Sequence, residues 1–168
     1  MANRMIKSIT RKSSIQLADC ISSLFALELA VPGQYLYLFS PWISDIPLID
    51  NRFGQVRALM PNLGQRHLHF STLFNTIAAR GTAIYIMCRP EQERTDLFLE
   101  RLSPTIQVKR VQNLHEKGLI GENFYLRGSM NFTYSGIHIN DEHVELTTEI
   151  DLVARALLEA QQRWKTLE

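Results

Sequence analysis

Three short runs of aromatic, β-branched and aliphatic residues punctuate the first two thirds of the chain: YLYLF from Tyr35, TAIYIMC from Thr82 and TIQVKRV from Thr105. The first reads as a buried strand, the second as a strand by its composition, and the third as a strand with alternating faces. The stretches between the second and third, and before the second, carry apolar residues at helical spacing. Ser71 to Arg80 puts Leu73, Phe74, Ile77 and Ala78 on one face, with Gly81 as a stop. Glu91 to Leu102 reads as the next helix. Strands that alternate with helices predict an α/β fold, a mixed β-sheet flanked by helices.

The rest of the chain fills in that frame. Leu17, Ile21, Leu24 and Phe25 fall on one helical face and predict an amphipathic first helix. Basic residues followed by an apolar run give residues 1–30 a superficial likeness to a signal peptide, but Asp19 and Glu28 interrupt that run. The reading is a cytoplasmic protein with no membrane span. Residues 45–67 hold Pro, Gly and Asn without a clean period and read as a long irregular insertion. Residues 117–121 and 124–128 predict a hairpin turning at Glu122-Asn123, and HVELTTE from His143 a further strand. Val153, Leu157, Ala160, Trp164 and Leu167 mark one long C-terminal helix. The expected organisation is an N-terminal helical segment, 1–32, and a catalytic domain, 33–168, within a single domain overall.

The chemistry concentrates in LHEKGLIGENFYLRGSMNFT, residues 114–133. On a strand, His115 and Lys117 project to the same side. An imidazole beside an ammonium favours water or an anion between them. Ser129 and Asn131 follow, again two apart, and Gly128 lets backbone approach a ligand closely. His, Lys, Ser and Asn together supply donors for one oxyanion, the requirement for stabilising a phosphoryl group. The histidine can also attack phosphorus or protonate a leaving oxygen. Arg89, at the end of a strand, is placed to touch a phosphate or to pair with Glu91 or Glu93. Trp42 is placed to pack or to stack on a base. Arg52, Arg57 and Arg66 in the insertion suit either a nucleic-acid backbone or solvent. Thr133 reads as a cap. Cys20 and Cys88 have no metal or disulfide spacing, and His67 with His69 lacks the acidic or thiol company of a metal site.

The set His115-Glu-Lys117, four residues, Glu122, then Gly128-Ser129-Met-Asn131-Phe-Thr133 resembles the HKD motif of the phospholipase D superfamily. GSMNFTYSGIHINDE resembles its small bacterial nucleases, in which GSxNFTxSG is followed by N-x-E. Glu122 stands where that motif usually carries aspartate. The resemblance spans residues 33–168 and implies a phospholipase D-like fold. It implies catalysis by His115, Lys117, Ser129 and Asn131, with Glu142 orienting the histidine. It also implies a phosphohistidine intermediate, no metal or cofactor, and a homodimer whose two single motifs build one site. RPxxxRxxxFLxRL, from Arg89 to Leu102, adds a likeness to the phospholipase D-like (DpdK-type) component of bacterial gene clusters that install 7-deazapurines in DNA. That likeness implies protein partners in DNA modification or defence.

The expected function is a metal-independent nuclease acting on DNA. A lipid phosphodiesterase is the runner-up; the single motif and the missing apolar entry segment weigh against it. A non-catalytic nucleic-acid-binding subunit is the third reading. A formal net charge of +1 fits it, since a nuclease that acts alone usually carries a basic excess.

Overall fold

The computed structural model describes residues 3–8, 11–52, 54, 58 and 66–166. The elements run β1 (Asn3–Ser8), α1 (Arg11–Ala30), β2 (Tyr35–Phe39), β3 (Pro47–Asp50), β4 (His67–His69), α2 (Phe70–Ala79), β5 (Ala83–Cys88), α3 (Glu93–Leu99), β6 (Gln107–Arg110), β7 (Gly118–Ile120), β8 (Tyr125–Gly128), α4 (Tyr134–His138), β9 (Glu142–Thr147) and α5 (Ile150–Thr166). Seven of the described strands form one sheet in the order β1-β9-β8-β7-β2-β5-β6. β2, β5 and β6 are parallel, while β7, β8, β9 and β1 continue antiparallel. The sheet is mixed because α2 and α3 make the crossovers that parallel strands need, whereas a tight turn suffices for β7–β8.

Strand alternation divides the core between the two faces. Leu36 and Leu38 of β2, with Ile84 and Ile86 of β5, face Leu17, Ile21 and Phe25 of α1 and Phe74 of α2. Tyr37 and Phe39 face the other way, with Met87 and Ile120, against Ala156 and Ala160 of α5. Trp164 closes that side edge-on to Tyr85, with ring centroids 5.0 Å apart. Helices therefore cover both faces, as the sequence predicts, and the repeat on α5 is the buried stripe. Leu167 lies outside the described residues.

Several boundaries differ from expectation. The N-terminal segment is not purely helical, because residues 3–8 form an edge strand paired from Asn3↔Thr147 to Ser8↔Glu142. Of residues 3–7 only Ile6 is buried, and Met5 is 60% exposed. One inward residue carries too weak a period to announce a strand; pairing with β9 makes it. The ends of the insertion are not irregular, since β3 pairs with β4. Arg57 lies outside the described residues. The helix expected over 91–102 is shorter, Glu93–Leu99. No described helix is long and apolar enough to cross a membrane.

α1 also brings an acid into the core. Glu28 is 1% exposed; its Oε2 accepts from Gly33 N at 3.2 Å, while no described residue donates to Oε1. A Cβ on Gly121 would stand 2.7 Å from that oxygen, which explains glycine in the β7–β8 turn. Burial pushes the Glu28 carboxyl above the usual glutamate range, the Gly33 N–H pulls it partly back, and the Glu122 carboxylate adds to the rise. A carboxyl that holds its proton more tightly folded than unfolded stabilises the fold when protonated. That contribution is complete below the unfolded glutamate pKa of about 4.3 and is lost as pH rises through the folded value. Glu28→Gln is therefore expected to raise the melting temperature at neutral pH and to flatten the stability profile between mildly acid and neutral pH. An unchanged profile in thermal melts would contradict the assignment.

Candidate active site

The segment carrying His115 is pinned on both sides. Leu114 is fully buried beneath α5. Glu116 forms an ion pair with Arg163 of α5. His115, between them, is turned to solvent. It is not on a strand; β7 starts three residues later. Lys117 returns to the same side, its Nζ donating to His115 O at 2.7 Å. Arg89, just past the end of β5, completes the group. Its Nε donates to Leu114 O at 2.8 Å, and its Nη2 lies 3.2 Å from both imidazole nitrogens. A guanidinium can only donate, so the imidazole nitrogen it bonds is an acceptor. Arg89 thus contacts Leu114 and His115, and no described ion pair joins it to Glu91 or Glu93.

β8 and β9 meet closely beside this group. A Cβ on Gly128 would stand 2.1 Å from His143 O and 2.9 Å from Val144 Cα. Ser129 N donates to His143 O at 3.0 Å, and His143 N donates to Ser129 Oγ at 3.1 Å. The Ser129 hydroxyl gives its one proton to Glu142, whose other oxygen accepts from Asn140 Nδ2 at 3.4 Å. Two residues expected at the phosphoryl site bond each other here, the Ser129 hydroxyl donating to Glu142. Glu142, only 8% exposed, holds Ser129 and Asn140 and makes no bond to His115 within the chain.

The expected residues separate into two cavities. His115, Lys117 and Gly128 line one of about 400 Å³. His143 lines it too, and the sequence reading missed this residue. The available signal was strand alternation: with Glu142 inward, the next side chain must face out. Arg127 and Glu145 stand at the same cavity but neutralise each other at 2.8 Å. Asn131 and Trp42 line a second cavity of about 450 Å³. Thr133 caps α4, its hydroxyl accepting from Gly136 N at 3.1 Å. Glu122 lies exposed in the β7–β8 turn. Among the described residues, no cluster of three His, Cys, Asp or Glu could hold a metal ion. Burial raises the Cys88 thiol to about 11, so it stays protonated and inert.

Comparison with solved structures bears on this arrangement. The chain superposes on NucT from Helicobacter pylori with a TM-score of 0.68 at 12% identity, over 99% of this chain and 97% of that one. It superposes on a phospholipase D family member, Nuc from Salmonella typhimurium, with a TM-score of 0.63 at 12% identity, over 99% and 96%. The fold is phospholipase D-like. A polyphosphate kinase from Porphyromonas gingivalis matches with a TM-score of 0.58 at 13% identity, over 90% of this chain and 24% of that one. No protein-family model and no curated protein matches the sequence.

The contact at Gly128 gives this region a direct test. Any side chain there must push β9 away and break the Ser129–His143 pairing. Gly128→Ala is expected to cost about 3 kcal/mol or more in denaturant unfolding, the range of severe backbone clashes. A loss below about 1 kcal/mol would show that β8 and β9 are not held this tightly.

Proposed function

We propose that the protein is a metal-independent phosphodiesterase that cuts nucleic acid, DNA foremost, through a phosphohistidine in a homodimeric site. One observation carries the reading. An exposed imidazole shares a solvent-facing centre with the Lys117 ammonium and the Arg89 guanidinium, on a phospholipase D-like fold. Two cations beside a nucleophile match a phosphodiester monoanion and the charge that gathers on its oxygens during transfer. Arg89 reaches His115 with nothing between them, so an entering phosphate takes over the guanidinium and frees the imidazole.

The chemistry then runs in two displacements. The neutral His115 nitrogen attacks phosphorus; the N–P bond forms as the bond to the leaving oxygen breaks. The partner subunit's His115 delivers a proton to that oxygen. It then removes a proton from water, which attacks phosphorus, breaks the N–P bond and returns His115. Lys117 and Arg89 hold the non-bridging oxygens. Glu142, Ser129 and Asn140 act as a brace, and Asn131 stands on the far side of that brace.

A second reading, a nucleic-acid-binding subunit of a DNA modification or defence system, is favoured by the net charge of +1 and by the ion pairs that occupy Arg52, Arg101, Arg110, Arg127 and Arg163. An arginine already held by an acid is less available to a phosphate. The two readings separate in one assay. Cleavage of single- and double-stranded DNA is expected to survive EDTA and to fall by about 10³-fold or more in His115→Ala and Lys117→Ala. Light scattering is expected to give twice the 19.4 kDa chain mass. Cleavage that persists in His115→Ala would overturn the nuclease reading. Binding without cleavage, equal in wild type and His115→Ala, would establish the second.

A further inference from the structure

The second cavity has a chemistry of its own. Trp42 is 44% exposed, yet its backbone is held from several directions. Ser40 Oγ donates to Trp42 O at 2.7 Å and accepts from Phe132 N at 3.1 Å. Thr95 Oγ1 brackets the next peptide, accepting from Ile43 N at 3.0 Å and donating to Ile43 O at 3.2 Å. Ile43 also bridges Phe132, and Ser44 N donates to Phe132 O at 2.9 Å. The facing wall begins at Glu91, a non-glycine residue with φ of 60°, a costly conformation that turns the chain into Gln92–Thr95. A large aromatic ring on so rigid a base, left half in water, is a preorganised stacking platform.

The remaining lining selects the ligand class. Glu93 and Arg94 balance in charge, and Gln92, Asn131 and Asn140 contribute amides. Amides and one aromatic face, with no excess charge, suit the hydrogen-bonding edge and π-face of a nucleobase. A phosphate would need net positive charge, and an acyl chain would need apolar walls. The volume, about 450 Å³, is at the small-ligand end of binding sites. Its position joins it to the reacting centre. Pro41, next to Trp42, accepts from Arg89 N at 3.1 Å, and Arg89 touches His115. On the other side, Asn140 lines the cavity and bonds Glu142, which holds Ser129.

We infer that this cavity is a nucleobase subsite, in which Trp42 stacks on the base of the nucleotide adjoining the phosphodiester held at His115. The inference rests on the nucleic-acid reading of that centre and adds a substrate form. A base inside a duplex is stacked on both faces, so only a single strand or a locally opened duplex can place one against Trp42.

Binding tests this without turnover. In His115→Ala protein, fluorescence anisotropy compares a short single-stranded oligodeoxynucleotide with a chain of the same length made of abasic deoxyribose phosphates. The intact oligonucleotide is expected to bind more tightly. Trp42→Ala is expected to remove roughly tenfold of its affinity and none from the abasic chain, with Trp42→Phe restoring most of it. Equal affinity of the parent for both chains would overturn the subsite whatever the variant does. So would equal weakening of both chains, or no weakening, in a Trp42→Ala protein that melts like its parent. Base-dependent binding through Trp42 in a protein that cuts no DNA would uphold the subsite and remove only the nuclease. DNA cleavage by wild type with binding indifferent to bases would do the reverse.

Discussion

The brace formed by Ser129, Glu142 and His143 depends on how closely β9 approaches β8. At Gly128 the two backbones come within a distance that excludes a single methyl group. That approach lets Ser129 and His143 exchange backbone and side-chain hydrogen bonds, and it brings the Glu142 carboxylate onto the Ser129 hydroxyl. A buried carboxylate with two neutral donors is stable only while both stay in place. The brace therefore fixes the strand ends that carry Gly128 and His143 into one cavity and Asn131 into the other. β1 adds a further strand on the outer side of β9, so the N-terminus of the chain helps hold the brace shut.

The group around His115 is assembled from the opposite direction. Leu114 anchors in the core beneath α5, and Glu116 pairs with Arg163 on that helix. The residue between two such anchors has no freedom to turn inward, which leaves the imidazole in solvent at the edge of the sheet. Arg89 arrives on the end of β5, the strand beside β2. Parallel strands end together, and open α/β sheets place functional groups beyond those ends. Here Pro41, Arg89 and His115 meet at such an edge. The division of labour follows charge. Lys117 and Arg89, which no described acid pairs, stand at His115, while the Trp42 cavity is balanced and amide-rich.

Much of the fold was legible because its signals are local. Leu17, Ile21, Leu24 and Phe25 repeat at helical spacing and are all buried, and the YLYLF and IYIMC runs are the adjacent parallel strands β2 and β5. The misses are non-local. β1 exists through Thr147 and its neighbours, far along the chain, and of residues 3–7 only Ile6 is buried. The motif spacing brought His115, Lys117 and Gly128 to one cavity as expected. It did not reveal that the Ser129 proton belongs to Glu142, thirteen residues on, because hydrogen-bond donation depends on a partner that spacing does not specify. The separation of Asn131 from His115 has the same origin. It follows from the Phe132 pairing with Ile43, a contact between distant segments. His143 was hidden by its own neighbour, as the adjacent acid drew the functional reading.

The proposed reaction requires His115 to form a bond to phosphorus. A single turnover of single-stranded DNA, quenched in denaturing alkali and followed by peptide mass mapping, tests it most directly, because a histidine phosphoramidate survives base. A transient nucleotidyl adduct is expected on the peptide that contains His115, appearing before product and decaying as product forms. Complete turnover with no adduct, or an adduct on another residue, would contradict it.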